Sequence, residues 1–221
     1  MKFPFISYKN DRKKEASPEN VHPLKNTNFN EHFLFNSLNA IQYYISNNEK
    51  KLSVQYLAML GKLIRFNLNH LEQNRVPLSE ELSMILIYLK LQKMRYQDKF
   101  NYKISVQDGD CQEEKFMTKN ILTSLLEILI EKLLVVQKES AVLHISFNKN
   151  NDKMTLSVEI QIHTEVLPPD DFHESLQLWE ENVDIINRTI QKKQPDKIRF
   201  KKEFSKRNGI VLYLSIPITE K

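Results

Sequence analysis

The chain has 221 residues, of which 41% are hydrophobic and 27% are charged, and this composition excludes a wholly disordered protein. Its 32 basic and 28 acidic residues leave a net charge of +4, too small a bias to indicate nucleic-acid binding. The single cysteine, Cys111, excludes a disulfide framework and a cysteine-ligated metal centre. No apolar run reaches the roughly 18 residues of a membrane span. We therefore expect a cytoplasmic protein without a signal peptide or an integral membrane segment.

Residues 1–27 are polar and proline-containing, which predicts a flexible N-terminal arm. Asn28, with Glu31 three positions later, is typical of a helix N-terminus. Three amphipathic helices follow, with apolar repeats at Leu34, Leu38, Ile41 and Ile45, then Leu57, Leu60, Ile64, Leu68 and Leu71, then Leu82, Ile85, Leu86 and Leu89. Short polar loops join these helices and favour an antiparallel helical region over residues 28–97.

The pattern changes after Arg95. The predicted elements are a strand at 100–106, a helix at 116–138, strands at 141–147 and 154–162, a helix at 176–190, and strands at 198–204 and 210–216. An Asn208-Gly209 turn joins the last two strands. The predicted fold class is α+β, a helical bundle followed over 98–221 by an α/β sandwich of antiparallel strands with helices on one face.

The segment from Asn30 to Asn39, Asn-Glu-His-Phe-Leu-Phe-Asn-Ser-Leu-Asn, resembles the phosphoacceptor helix of the LytS-like sensor histidine kinases. That helix typically reads asparagine-proline-histidine-phenylalanine-leucine-phenylalanine-asparagine, then a small residue, leucine and asparagine. The likeness continues through Val76-Pro77-Leu78-Ser79-Glu80-Glu81-Leu82 and Arg95-Tyr96. It implies a helical dimerisation and phosphoacceptor region at 28–97 and a degenerate GHKL-like ATPase domain at 98–221.

The resemblance identifies His32 as the candidate phosphoacceptor. In such kinases a neutral histidine nitrogen attacks the γ-phosphate of ATP, and the phosphoryl group then passes to an aspartate of a response-regulator receiver domain. Imidazole suits this role because it is nucleophilic and largely neutral near pH 7. Glu31 replaces the usual proline and favours the imidazolium form instead. Asn36, one helical turn after His32, is the candidate contact for the receiver.

The nucleotide-binding half departs further from the family. Its asparagine box usually reads leucine-glutamine-proline-leucine-valine-glutamate-asparagine, then alanine and a hydrophobic residue, then lysine-histidine-glycine. Glu127 matches the glutamate and is the only retained polar residue of the box, whereas Ile128 replaces the magnesium-binding asparagine, and Lys132 and Leu133 replace the histidine and glycine. Isoleucine has no oxygen with which to ligate magnesium. The glycine boxes that would hold the nucleotide are also missing, since the chain has only three glycines.

Charge favours the same interpretation. Seven acidic residues and no basic ones lie between Glu165 and Asp184, where the resemblance places the nucleotide phosphates. A wall of like charge without compensating cations disfavours an anionic ligand. Residues 192–207 carry a net +6 instead, typical of a solvated hairpin or of a docking surface for an acidic partner or anionic lipid. Aromatic residues do not interleave there at stacking intervals, so we expect no nucleic-acid partner.

Three functions stay open. The first is a two-component phosphorelay protein with a defunct ATP site, acting as a homodimer by contact or by carrying on His32 a phosphoryl group that another kinase supplies. The second is an active autokinase with a divergent site for ATP and magnesium, and the third is a scaffold. We expect no cofactor and no metal unless the second holds. The expected partners are a second copy, a receiver domain or another histidine kinase, and a membrane-bound sensor could recruit the chain.

Overall fold

The computed structural model describes residues 31–107, 115–134, 141–150, 154–162, 168–190, 197–205 and 209–220. The predicted arm at 1–27 and the predicted N-cap at Asn28 lie outside these ranges. The helices are α1 (Glu31–Ser46), α2 (Lys50–Asn69), α3 (Leu78–Tyr96), α4 (Ile121–Ile128), which continues as a π-helix (Leu129–Leu134), and α5 (Asp170–Ile190). The strands are β1 (Arg75–Pro77), β2 (Phe100–Gln107), β3 (Phe116–Thr118), β4 (Ala141–Asn150), β5 (Thr155–Ile162), β6 (Arg199–Ser205) and β7 (Gly209–Pro217).

Helices α1, α2 and α3 pack around a shared aromatic core. The ring centroids of Phe33 in α1 and Tyr88 in α3 lie 5.5 Å apart, and Tyr56 of α2 has no solvent exposure. The core-facing side of α2 consists of Ser53, Tyr56, Leu60, Leu63 and Phe66. This side differs from the repeat seen in the sequence, because Leu57, Leu68 and Leu71 are more than half exposed.

A short antiparallel ribbon joins the helical region to the rest of the chain. Strand β1 pairs with β3 in the register Arg75↔Thr118, and the Leu78 amide donates to the Lys115 carbonyl over 2.7 Å. Neither strand was predicted, and the helix expected from residue 116 begins at Ile121. Asn120, with φ 59°, turns the chain between β3 and α4.

The second region is a five-stranded sheet in the order β2-β4-β5-β7-β6. The expectation of purely antiparallel strands is wrong for one pair, because β2 and β4 are parallel. A parallel pair requires a crossover connection, and here the chain passes through β3 and α4 between the two strands. The predicted fold class, a helical region followed by an α/β sandwich, is otherwise confirmed by the element order.

Alternating residues of the sheet divide it into a core face and an open face. On β5 the core face is Leu156, Val158, Ile160 and Ile162, all buried. Helices α4 and α5 cover this face, and α5 contributes Phe172, Leu176, Trp179, Val183 and Ile186 to the same core. Helix α5 begins six residues earlier than predicted, since Pro168 and Pro169 precede it and Asp170 and Asp171 favour its N-terminus. Among the described residues, no helix is both long and apolar enough to cross a bilayer.

Candidate functional site

The phosphoacceptor-like residue His32 lies in the first turn of α1. The side chains of Glu31 and His32 fall outside the described part of the structure, so the exposure of His32 stays a prediction. The next residue, Phe33, is 3% exposed and packs against Tyr88. This contact holds the start of α1 against α3 and so fixes where the backbone of His32 lies.

Asn36 lines a groove of about 410 Å³ between α1 and the C-terminal end of α3. The other lining residues are Asn39, Ala40, Tyr43, Tyr44, Met94, Arg95 and Gln97. The Tyr44 hydroxyl donates to the Met94 carbonyl over 2.6 Å and ties the two helices together here. Because Asn36 follows His32 by one turn, the groove starts on the helical face that carries His32. The side-chain amides and phenols that line the groove are of a kind that can hydrogen-bond to a polar segment of a partner protein.

Helix α4 carries the remnant of the asparagine box. Glu127 is half-buried, and its charge, after the larger effect of burial, raises the pKa of Tyr88. Ile128 packs against the hydrophobic core with an alkyl side chain, where magnesium would require an oxygen ligand. In the described ranges, no group of three or more His, Cys, Asp or Glu side chains is placed to hold a metal ion. Ile128 thus offers no oxygen at the position where the family's asparagine box has its magnesium-binding asparagine.

Sequence reasoning missed Glu131, one turn beyond Glu127, where the family usually has lysine. Its carboxylate accepts from Arg95 Nη1 over 2.6 Å and from the Tyr96 hydroxyl over 2.9 Å. The side chains of Arg95 and Glu131 are 15% and 17% exposed. Burial and the nearby carboxylate raise the pKa of Tyr96, so its phenol stays a donor. Both carboxylate oxygens of Glu131 are thus engaged within the protein.

The acidic segment is partly neutralised, which corrects the expectation of a wall without compensating cations. The cations come from distant elements: Lys132 Nζ lies 3.0 Å from Asp171 Oδ2, and Lys202 pairs with Glu180. Helix α5 also contacts α4 directly, since the Trp179 indole donates to Ser124 Oγ over 2.9 Å.

The predicted basic stretch is divided in the structure. Lys192, Lys193, Lys206 and Arg207 lie outside the described residues. Of the described cations, Lys201 pairs with Glu203 and Lys202 pairs with Glu180. These pairings reduce the free positive charge of β6, and they favour the solvated hairpin over the docking surface.

A buried acid, Glu81, is a second group that sequence reasoning missed. Its side chain has no solvent exposure, and its Oε1 accepts from the Asn120 amide over 2.9 Å. Its Oε2 has no hydrogen-bond partner among the described residues. Burial raises the pKa of Glu81 to about 7, against smaller lowering effects of Asn120 and Lys119. The hydrogen bond from Asn120, the residue before α4, places the Glu81 side chain where α3 meets the start of α4.

Comparison with known proteins supports the family suggested by the motif. A family model described as "Histidine kinase" matches residues 24–100. "Sensor protein LytS" of Staphylococcus epidermidis is 28% identical over 141 residues, 64% of this chain and 23% of the relative. "Sensor histidine kinase/phosphatase LytS" of Staphylococcus aureus is 34% identical over 100 residues, 45% of this chain and 16% of the relative. The chain thus spans a quarter or less of the length of these curated relatives.

Solved structures of histidine kinases show a looser likeness. Acinetobacter baumannii histidine kinase AdeS is 11% identical with a TM-score of 0.43, covering 84% of this chain and 97% of that one. A mycobacterial sensor histidine kinase, MprB, is 9% identical with a TM-score of 0.42, covering 66% and 99%. The sequence matches carry the likeness: residues 24–100 match the histidine kinase family model, and the relatives named above are LytS sensor kinases.

Proposed function

We propose that this chain is a dimeric two-component signalling protein that exchanges a phosphoryl group at His32 with a receiver domain and does not bind ATP itself. The observation that carries the proposal is the contrast between two helices, α1 and α4. Helix α1 keeps the histidine motif, packed on α3 through Phe33. Helix α4 has Ile128 at the magnesium position, and the π-helix that follows it has a Glu131 carboxylate hydrogen-bonded to Arg95 and Tyr96.

The charged side chains of α4 and of the π-helix after it support the proposed absence of ATP binding. A nucleoside triphosphate needs cations or backbone amides near its phosphates. Glu127 adds negative charge instead, and Glu131 is already paired with Arg95. The single cation of the π-helix, Lys132, pairs with Asp171. We propose accordingly that no cofactor and no metal ion acts in this chain.

The proposed step is a transfer between aspartyl phosphate and imidazole. A neutral nitrogen of His32 attacks the phosphorus of a receiver aspartyl phosphate, so that an N–P bond forms as the acyl-phosphate P–O bond breaks. The receiver aspartate leaves as a carboxylate, and the reverse step returns the phosphoryl group. The groove that begins at Asn36 offers amide donors beside this position for the docked receiver.

The proposed dimer rests on apolar side chains that the single chain leaves uncovered. Those on α1, on α2 and in the turn just after α2 that are more than half exposed are Phe35, Leu38, Tyr43, Ile45, Val54, Leu57, Leu68 and Leu71. Soluble monomers rarely leave so many large apolar side chains exposed on adjacent helices. A second copy packing in a helical bundle would cover them.

The test is phosphoryl transfer from a phosphorylated receiver domain. We expect acid-labile phosphate on the wild-type chain and none on His32→Gln, with an unchanged circular dichroism spectrum. His173→Gln is the matched control, because His173 lies exposed on α5 and should keep full labelling. Equal labelling of His32→Gln and wild type would contradict the proposal.

The two alternatives give different results in the same assay. An active autokinase would label His32 from ATP without a receiver, whereas a scaffold would take no label from either donor. We further propose that the chain acts in the cytoplasm, where a membrane-bound sensor or another histidine kinase would be its upstream partner.

A further inference from the structure

Arg95, Tyr96 and Glu131 form a polar cluster between the helical region and the α/β sandwich, and we call it the latch. Arg95 and Tyr96 end α3, and Glu131 lies in the π-helix that follows α4. Glu131 accepts one hydrogen bond from each of them, over 2.6 and 2.9 Å. The Arg95 guanidinium carbon also lies 4.3 Å from the centroid of the Tyr96 ring, a cation–π contact.

The latch lies beside the chain connection between the two regions. Helix α3 passes into β2 through a single 3₁₀ turn, Gln97–Lys99. Gln97 has φ 49°, a backbone region that costs energy for a residue other than glycine. Surrounding contacts must stabilise a turn in this conformation. The latch residues Arg95 and Tyr96 immediately precede Gln97 and supply such contacts.

Because the Arg95–Glu131 ion pair is largely buried, the latch is sensitive to the loss of either charge. Removing one member of a largely buried pair leaves the other charge without compensation. Reversing the sign at residue 131 would place a second cation against Arg95. The exposed pair Lys132–Asp171, one residue further on, has 43% and 55% exposed side chains and is expected to matter little.

We propose that the latch fixes the orientation of the helical region relative to the α/β sandwich, so that the two move as one body. A hinged arrangement would let the α/β sandwich approach the start of α1. The latched arrangement presents α1 and the sandwich to a partner as one fixed surface. This inference goes beyond phosphoryl transfer and holds whether or not His32 is ever phosphorylated.

The test is a spin-label distance measurement across the junction. Labels are attached to Lys62→Cys on α2 and Glu174→Cys on α5, both exposed positions, after replacing Cys111 by serine. Labelled chains are diluted with unlabelled protein, so that only distances within one chain are observed. We expect one narrow distance distribution for the wild-type latch and loss of that single narrow peak for Glu131→Lys.

The controls separate the latch from a general loss of structure. Lys132→Gln, which breaks the exposed pair, should keep the narrow peak, and the charge swap Arg95→Glu with Glu131→Lys should restore it. A narrow, unshifted peak for a folded Glu131→Lys chain would overturn the proposal.

If Glu131→Lys does not fold, the milder Glu131→Gln and Tyr96→Phe variants give a second measurement. Trypsin cleavage after Lys99, which lies exposed in the 3₁₀ turn, reports opening of the junction. We expect cleavage to accelerate roughly tenfold, since it follows the population of locally opened chains. An unchanged cleavage rate in both variants would overturn the proposal equally.

Discussion

The carboxylic acid side chain of Glu81 is completely buried in the folded protein. Burial raises the pKa of its side chain from 4.5 to about 7, although the Asn120 amide and the Lys119 charge act in the opposite direction. Lys119 Nζ donates to the His70 carbonyl over 2.7 Å, so the neighbouring cation is already engaged. The folded protein thus holds a proton on Glu81 more tightly than the unfolded chain does.

This difference predicts a pH-dependent stability. Between pH 4.5 and pH 7 the unfolded chain releases the Glu81 proton while the folded chain retains it, so stability falls as pH rises through this window. The loss is on the order of 3 kcal/mol and is complete above the folded pKa. Urea unfolding at a series of pH values measures it. Glu81→Gln should flatten the profile over this window, whereas Glu80→Gln, an exposed neighbour, should not.

An unchanged pH profile for Glu81→Gln would contradict the assignment of this dependence to the buried Glu81 side chain.

Local strings of sequence single out His32, Asn36 and Glu127, and the roles assigned to these residues stay predictions. Residues whose importance depends on a distant partner were missed. Glu131 and Arg95 are 36 residues apart, and Glu81 and Asn120 are 39 apart. Such pairs depend on tertiary contacts that the sequence does not show. At residue 131, the glutamate in place of the family's usual lysine was a departure visible in the sequence.

Helices α1 and α2 each have two apolar sides, and the structure covers one of them. Leu38 and Leu57 are 55% and 56% exposed, whereas Phe33 and Tyr56 of the same helices are buried. Ile41 is half-buried and packs against the core, so a charge there would disturb the fold itself. The exposed side is therefore the better place to test the proposed dimer.

We expect Leu38→Glu combined with Leu57→Glu to give a folded monomer. Charged side chains on the uncovered side would have to be desolvated in a dimer, which costs more than apolar burial gains. Light scattering with size-exclusion chromatography measures the mass. Leu178→Glu, at an exposed position on α5, should leave the dimer intact. A dimeric double variant would refute this interface.

Elements with a clear period were predicted well. Strand β5 alternates over its whole length and was predicted within a residue, because one face is buried and the other polar. Strands β1 and β3 have three residues each, too few for a period, and they exist because they pair with each other. The helix expected at 116–138 was shortened by that pairing and by the turn at Asn120.

The family match and the departures from the family's asparagine box lie in different parts of the chain. The family match covers residues 24–100, and the departures at Ile128 and Glu131 lie beyond it. The α/β sandwich keeps a continuous core, with the buried faces of β4, β5 and β7 beneath α4 and α5. A continuous core together with Ile128 in place of the magnesium ligand is what the proposed loss of ATP binding predicts for this domain.

Isothermal titration of ATP at millimolar magnesium tests the central claim most directly. We expect no heat of binding for the wild-type chain, because α4 offers Ile128 in place of an oxygen ligand and Glu131 is bound to Arg95. A nucleotide-binding histidine kinase serves as the positive control. A dissociation constant below about 100 μM, roughly 5.5 kcal/mol of binding free energy, would contradict the account.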